Sequence, residues 1–145
     1  MISVVIADDH YLVRQGIRAL LEHATGIKVV GEARDGQEAI QLADALKPDV
    51  VVMDISMPEM DGIMATSELQ HRESPPRIVI LSMYGNVALV ERAIRSGALG
   101  YLMKRSTAAE LVDAVRSAVK GKLFVGSSIL PTGREQQLRK LVPSG

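Results

Sequence analysis

Apolar residues along this chain fall into two alternating textures. Short β-branched runs stand at Ser3 to Ala7 (SVVIA), Ile27 to Ala33 (IKVVGEA), Val50 to Met53 (VVVM), Ile78 to Leu81 (IVIL) and Gly100 to Met103 (GYLM). They are mostly continuous rather than alternating, as strands buried on both faces require. Between them, apolar positions recur at helical spacing: Val13, Ile17, Leu20, Leu21 and Ala24, then Ala39, Leu42, Ala43 and Leu46, then Leu111, Val112, Val115 and Val119. Gly26, Pro48, Gly97 and Gly121 read as helix stops, and Thr107 as the N-cap of the last of these helices. Five strand–helix alternations predict an α/β fold: a doubly wound parallel sheet of order 2-1-3-4-5 with helices on both faces.

From about residue 120 the texture changes. Lys120, Lys122, Arg134, Arg139 and Lys140 face a single acid, Glu135, among the breakers Gly126, Ser127, Ser128, Pro131 and Gly133. The chain therefore divides into a domain over 1–120, a linker over 121–131 and the beginning of a further helical unit, or a tail, over 132–145.

Composition narrows the function classes. Hydrophobic residues make up 47% of the 145 and aromatics only 3%, so the core must be aliphatic. Seventeen basic residues balance seventeen acidic ones, which removes the basic footprint of a nucleic-acid binder. With no cysteine, disulfides, thiolate metal sites and thiol catalysis are excluded. No apolar stretch is long enough to span a bilayer, and Met1 leads straight into a strand-like run rather than a signal peptide. A soluble cytoplasmic protein without membrane contacts is expected.

The chemistry stands at the carboxyl ends of the apolar runs. The first ends in Asp8-Asp9, the third in Asp54, the fourth in Ser82 and the fifth in Lys104. In an open parallel sheet, ligands bind outside those ends, at the switch in strand order. Three carboxylates brought together there repel one another unless a cation joins them. A hard divalent ion with oxygen ligands meets that need, and Mg²⁺ suits a site that keeps positions open for water and phosphate. Asp54 can then attack phosphorus as a carboxylate nucleophile, with Lys104 supplying charge and Ser82 a hydrogen bond.

Asp8-Asp9, the stretch from Asp54 to Gly62 (DISMPEMDG), Ser82, Gly97 to Tyr101 (GALGY) and Lys104 together resemble the receiver domain of two-component response regulators. The Asp-Asp-His start and the Gly-Tyr-Leu-Met-Lys end are similar to the NarL/FixJ family of transcription regulators. The resemblance covers about residues 1–120. It implies a flavodoxin-like (βα)5 fold and a phosphoacceptor, Asp54, served by a sensor histidine kinase. It further implies Mg²⁺ on Asp9, Asp54 and the Ser56 backbone carbonyl, with Asp8 acting directly or through water. Lys104 would pair with the phosphoryl group, and Ser82 with Tyr101 would form the switch. Pro58, Asp61 and Gly62 would shape the loop after the nucleophile, Gly62 by allowing a turn. Arg105, where many receivers carry proline, implies a trans peptide after Lys104. Met83 is bulkier than the residue many receivers place there. Phosphorylation-dependent homodimerisation is implied as well.

Other readings attach to single residues and to the whole. A strand tyrosine such as Tyr101 is often only packing. His10 beside the acidic pair reads as facing solvent, and the seven methionines as core filler. A degenerate receiver acting only as an interaction module would tend to lack an acidic or lysine site residue, and all are present. A phosphatase of the haloacid dehalogenase type would need an acid two residues after Asp54, where Ser56 stands. Finally, Thr132-Gly133-Arg134-Glu135 with Leu138 and Leu141 resembles the opening of a LuxR-type helix-turn-helix domain. About a dozen residues of it cannot form a recognition helix, so DNA contact would await a longer chain, and residues beyond about 125 would pack poorly or dock loosely.

Overall fold

The computed structural model describes residues 1–129 and 135–143. Its elements are β1 (Ile2–Ala7), α1 (Tyr11–His23), β2 (Ile27–Ala33), α2 (Gly36–Leu46), β3 (Val50–Asp54), α3 (Gly62–Leu69), β4 (Arg77–Ser82), α4 (Val87–Arg95), β5 (Gly100–Met103), α5 (Ala108–Val119), β6 (Phe124–Val125) and α6 (Glu135–Arg139). All neighbouring strands run parallel in the order β2-β1-β3-β4-β5-β6. The expected five-stranded core is present, and β2 and β5 match their runs to the residue. Where the chain must turn, Gly26 (φ 84°) and Gly97 (φ 118°) take the left-handed region that costs glycine little. Thr107 caps α5, its hydroxyl accepting from the Glu110 amide at 3.2 Å.

Strand parity sorts the core into two layers. Val4, Ile6, Val50, Val52, Val79, Leu81 and Leu102 pack beneath α1 and α5. Val5, Ala7, Val51, Met53, Ile78, Ile80 and Tyr101 pack beneath α2, α3 and α4. The helical apolar lines are narrower than the periodicity suggested. In α1 the buried line is Arg14, Ile17 and Leu21, while Val13 and Leu20 are exposed. Each precedes a member of that line and so lies about 100° around the helix from it. Leu46 and Val119, the last residues of α2 and α5, are also exposed. Among the described residues, no helix is long and apolar enough to cross a membrane.

The segment read as a linker holds a strand. β6 pairs with the outer edge of β5, with the Phe124 amide donating to the Leu99 carbonyl and the Gly126 amide to the Tyr101 carbonyl, each at 2.9 Å. The edge groups of β5 thereby find partners within the chain. Ser127 is tied to Glu110 through its amide (3.0 Å) and its hydroxyl (2.9 Å). Ile129 and Leu138 are buried in the core layer that also holds α3 and α4. Poor packing beyond residue 125 is thus not what these residues show, because two apolar side chains find core there. Thr132, Gly133, Arg134 and Gly145 lie outside the described residues.

Candidate functional site

Sheet register brings the singled-out strand ends to one place. Ala7 pairs with Met53, so Asp8 follows at the level of Asp54, which pairs with Leu81. Ser82 pairs with Met103, and Lys104 follows one residue further. Asp8 (1% exposed) and Asp54 (3%) are buried, whereas the side chains of Asp9 and His10 are 31% and 67% exposed. Ligand atoms of Asp8, Asp9, His10 and Asp54 all lie within 4.8 Å of one another.

Lys104 bridges the two buried acids. Its Nζ stands 3.0 Å from Asp54 Oδ2 and 3.0 Å from Asp8 Oδ2, held there partly because its own amide donates to the Ser82 carbonyl at 2.8 Å. The other Asp54 oxygen accepts from the Ser56 amide at 3.2 Å. Burial raises the Asp54 pKa, Lys104 opposes that, and the neighbouring Asp8 charge adds to the rise. Burial alone would lower the Lys104 pKa, but its bonds to Asp8 and Asp54 outweigh this and hold it above the usual value. Asp54 is therefore harder to ionise here than a free carboxylate despite Lys104, and further positive charge beside it would favour its ionised form.

Pro58, Asp61 and Gly62, expected to shape the loop after Asp54, make distinct contacts there. The Pro58 carbonyl accepts from the Met60 amide at 2.8 Å, with Glu59 between them at φ 69°. Asp61 caps α3, accepting from the Met64 amide at 2.8 Å. Gly62 serves a different need from the turn expected of it. It begins α3 outside the left-handed region, and a Cβ there would run into the Asp54 carbonyl oxygen. Ser56 meets Asp54 through its amide. The peptide after Lys104 is trans, as are all described peptides.

Ser82 and Tyr101 share a face because Ile80 pairs with Tyr101 and Ser82 lies two residues beyond Ile80. The Ser82 hydroxyl accepts from the Tyr84 amide at 3.0 Å. The Tyr101 ring is wholly buried, its hydroxyl donating to the Tyr84 carbonyl at 2.6 Å. Burial raises its pKa, against an opposing effect of the Ser82 hydroxyl. Met83 is 67% exposed and leaves the pocket.

His10 faces solvent as expected, yet its Nδ1 lies 3.0 Å from Asp9 Oδ1 and 3.4 Å from Asp8 Oδ1. Two contacts went unread in the sequence. Tyr84 links Ser82 to Tyr101 only through its backbone, which leaves no side-chain signal. Arg14 donates from Nη1 to the Asp8 carbonyl at 2.7 Å. Its signal was present: a cation three and seven residues before Ile17 and Leu21, on the apolar line of α1.

Comparison with known proteins agrees with this fold. Residues 4–116 match the response regulator receiver domain model. The transcriptional regulatory protein LiaR of Bacillus subtilis is 47% identical over 129 residues, 89% of this chain and 61% of that protein. The signal receiver domain of NarL from Mycobacterium tuberculosis superposes with a TM-score of 0.80 at 40% identity, covering 83% of this chain and 98% of that one. A LuxR-family two-component response regulator from Aurantimonas gives 0.86 at 35% identity, covering 97% and 96%. The chain spans about three fifths of the length of curated relatives such as LiaR. Since the matched stretch runs from β1 into α5 and takes in every strand end that meets in the pocket, the chain belongs to the response regulator receiver domain family.

Proposed function

We propose that this chain takes a phosphoryl group onto Asp54 from a phosphohistidine of a sensor histidine kinase, with Mg²⁺ in the acidic pocket. The carrying observation is the buried Asp54 carboxylate, held by Lys104 on one oxygen and by the Ser56 amide on the other. Family membership implies two-component signalling, and receiver domains bind Mg²⁺ at an acidic pocket. Receivers of transcription regulators do not in general turn over an external substrate, which disfavours a phosphatase.

The donor set fits a hard divalent ion: three carboxylates lie close together with a single lysine to balance them. Asp8, Asp9, Asp54 and the Ser56 carbonyl would hold it. When bound, it supplies the positive charge that shields the crowded carboxylates and the phosphoryl oxygens. Attack by an Asp54 oxygen forms the O–P bond as the P–N bond breaks, and the electron pair leaves on the imidazole nitrogen. An ionised carboxylate needs no general base. Lys104 turns from the carboxylate toward the phosphoryl oxygens, and Ser82 donates its hydroxyl proton to them.

Ser82 thereby draws on the loop whose Tyr84 amide it now accepts from, and Tyr101 is bonded to the same Tyr84 through its carbonyl. Phosphorylation shifts the population between two packings of Tyr101 and the α4–β5 face, toward the one in which its ring fills space opened as Ser82 moves to the phosphoryl group. In a longer chain this would control a DNA-binding helix-turn-helix unit and homodimerisation, as expected of a cytoplasmic transcription regulator.

Mass spectrometry after incubation with acetyl phosphate tests the assignment. The chain should gain one phosphoryl group only with Mg²⁺ present, and Asp54→Asn should gain none. Phosphate on the Asp54→Asn protein, for example at Asp61, would overturn it.

A further inference from the structure

We infer that Arg14 is a positioning residue for the metal-binding carboxylates, acting through the backbone of Asp8; this rests on the reading of the pocket given above. The Arg14 side chain is only 9% exposed, and a guanidinium so placed is tolerated only when fully partnered. Its partners converge on one point. Nη1 donates to the Asp8 carbonyl at 2.7 Å, Nε donates to Glu32 Oε1 at 3.1 Å, and the Tyr11 ring centroid lies 5.6 Å from its Cζ. Glu32 is in turn held by Gln15 (2.8 Å) and Arg18 (2.7 Å). A clamp built from α1 and β2 thus closes on a single peptide oxygen at the end of β1.

Asp8 is the residue that most needs such a clamp. Its amide donates to the Ala33 carbonyl at 3.0 Å and its carbonyl accepts from Arg14, so the main chain is held on both sides. Its carboxylate is left free to take the His10 amide at 2.8 Å on Oδ1 and Lys104 on Oδ2. Without Arg14, the buried Asp8 carbonyl would lack a partner and the turn carrying Asp8 and Asp9 would reorient to find one. Two other roles make opposite forecasts. A plain staple between α1 and β2 would affect stability alone. A cation acting only by its charge would repel Mg²⁺, so removing it would tighten binding.

Isothermal calorimetry with MgCl₂ on the chain, Arg14→Met, Arg14→Lys and Glu32→Gln separates them, alongside thermal melts without metal. Loss of a residue that orients a ligand typically costs about 10-fold or more in metal affinity, and that is expected for Arg14→Met. Arg14→Lys should weaken binding nearly as much, because an ammonium lacks the planar fork that reaches Asp8 and Glu32 together. Glu32→Gln should weaken it less. Unchanged or tighter binding by folded Arg14→Met, whatever its melting temperature, overturns the inference, as does wild-type affinity in Arg14→Lys. Should Arg14→Met not fold, unchanged affinity in both other variants overturns it. No Mg²⁺ binding by the unaltered chain would instead sink the reading of the pocket itself.

Discussion

Gly62→Ala is a sharp test of how closely the nucleophile's strand and the following helix are fitted. Two effects oppose. Alanine at the start of α3 gains roughly 0.4–1 kcal/mol by narrowing the unfolded ensemble, provided its backbone geometry is compatible. Against this, its Cβ would meet the Asp54 carbonyl oxygen, with the Asp54 carbonyl carbon at 2.9 Å and the Ile55 Cα at 3.1 Å. All three are backbone atoms, so no flexible side chain can yield, and forced repacking of this kind costs about 1–3 kcal/mol. The contact wins, leaving a net loss of roughly 1–2 kcal/mol. At this chain length that lowers the midpoint by about 3–7 °C. Gly16→Ala is the matched control. Gly16 sits in the middle of α1 with nothing within 4 Å of its would-be Cβ, so there alanine should stabilise by about 0.5–1 kcal/mol. Urea denaturation of both variants reads the two signs directly. Gly62→Ala at or above wild-type stability would refute the argument. Because two of the three displaced atoms belong to Asp54 itself, phosphoacceptance from acetyl phosphate should slow in Gly62→Ala and not in Gly16→Ala.

Other outcomes follow from single contacts. Ser82→Ala should still accept phosphate but couple weakly to Tyr101 and Tyr84; a variant whose dimerisation on phosphorylation equals wild type, measured by light scattering, would remove the hydroxyl from the switch. Asp61→Ala loses the cap of α3 and should cost about 1 kcal/mol in urea denaturation; no loss would mean the cap contributes nothing. Burial alone would raise the Glu32 pKa, but hydrogen bonds from Arg18 and Arg14 bring it below the ordinary 4.5. Its contribution is therefore present above pH 4.5 and lost as pH falls through the lowered value, so the stability gap between wild type and Glu32→Gln should shrink as pH falls below 4.5. A gap that widens on acidification would reverse that sign. In a gel shift at physiological salt the 145-residue chain should bind no DNA sequence specifically, and tight specific binding would show that its DNA contacts were misplaced.

Local rules made much of this protein legible before any coordinates. Continuous β-branched runs mark strands covered on both faces, and short connections with right-handed crossovers leave few ways to order them. Polar residues at the ends of such runs must then share one edge of the sheet. Asp8, Asp9, Asp54, Ser82 and Lys104 were readable for that reason, as were the caps and stops at Thr107, Gly26 and Gly97. Tertiary structure decided whatever depends on residues distant in sequence. Parallel register set Asp8 level with Asp54 and put Ser82 and Tyr101 on one face. The approach of α3 to β3 made Gly62 a matter of space rather than of turning. Pairing with the open edge of β5 made Phe124 and Val125 a sixth strand within the segment read as a linker. Arg14 lay between the two: a cation on an apolar line declares that it needs partners, but only the packed fold shows that one of them is the Asp8 carbonyl. A hydrogen bond across elements is fixed by the meeting of two surfaces, and periodicity along one chain segment describes only one of them.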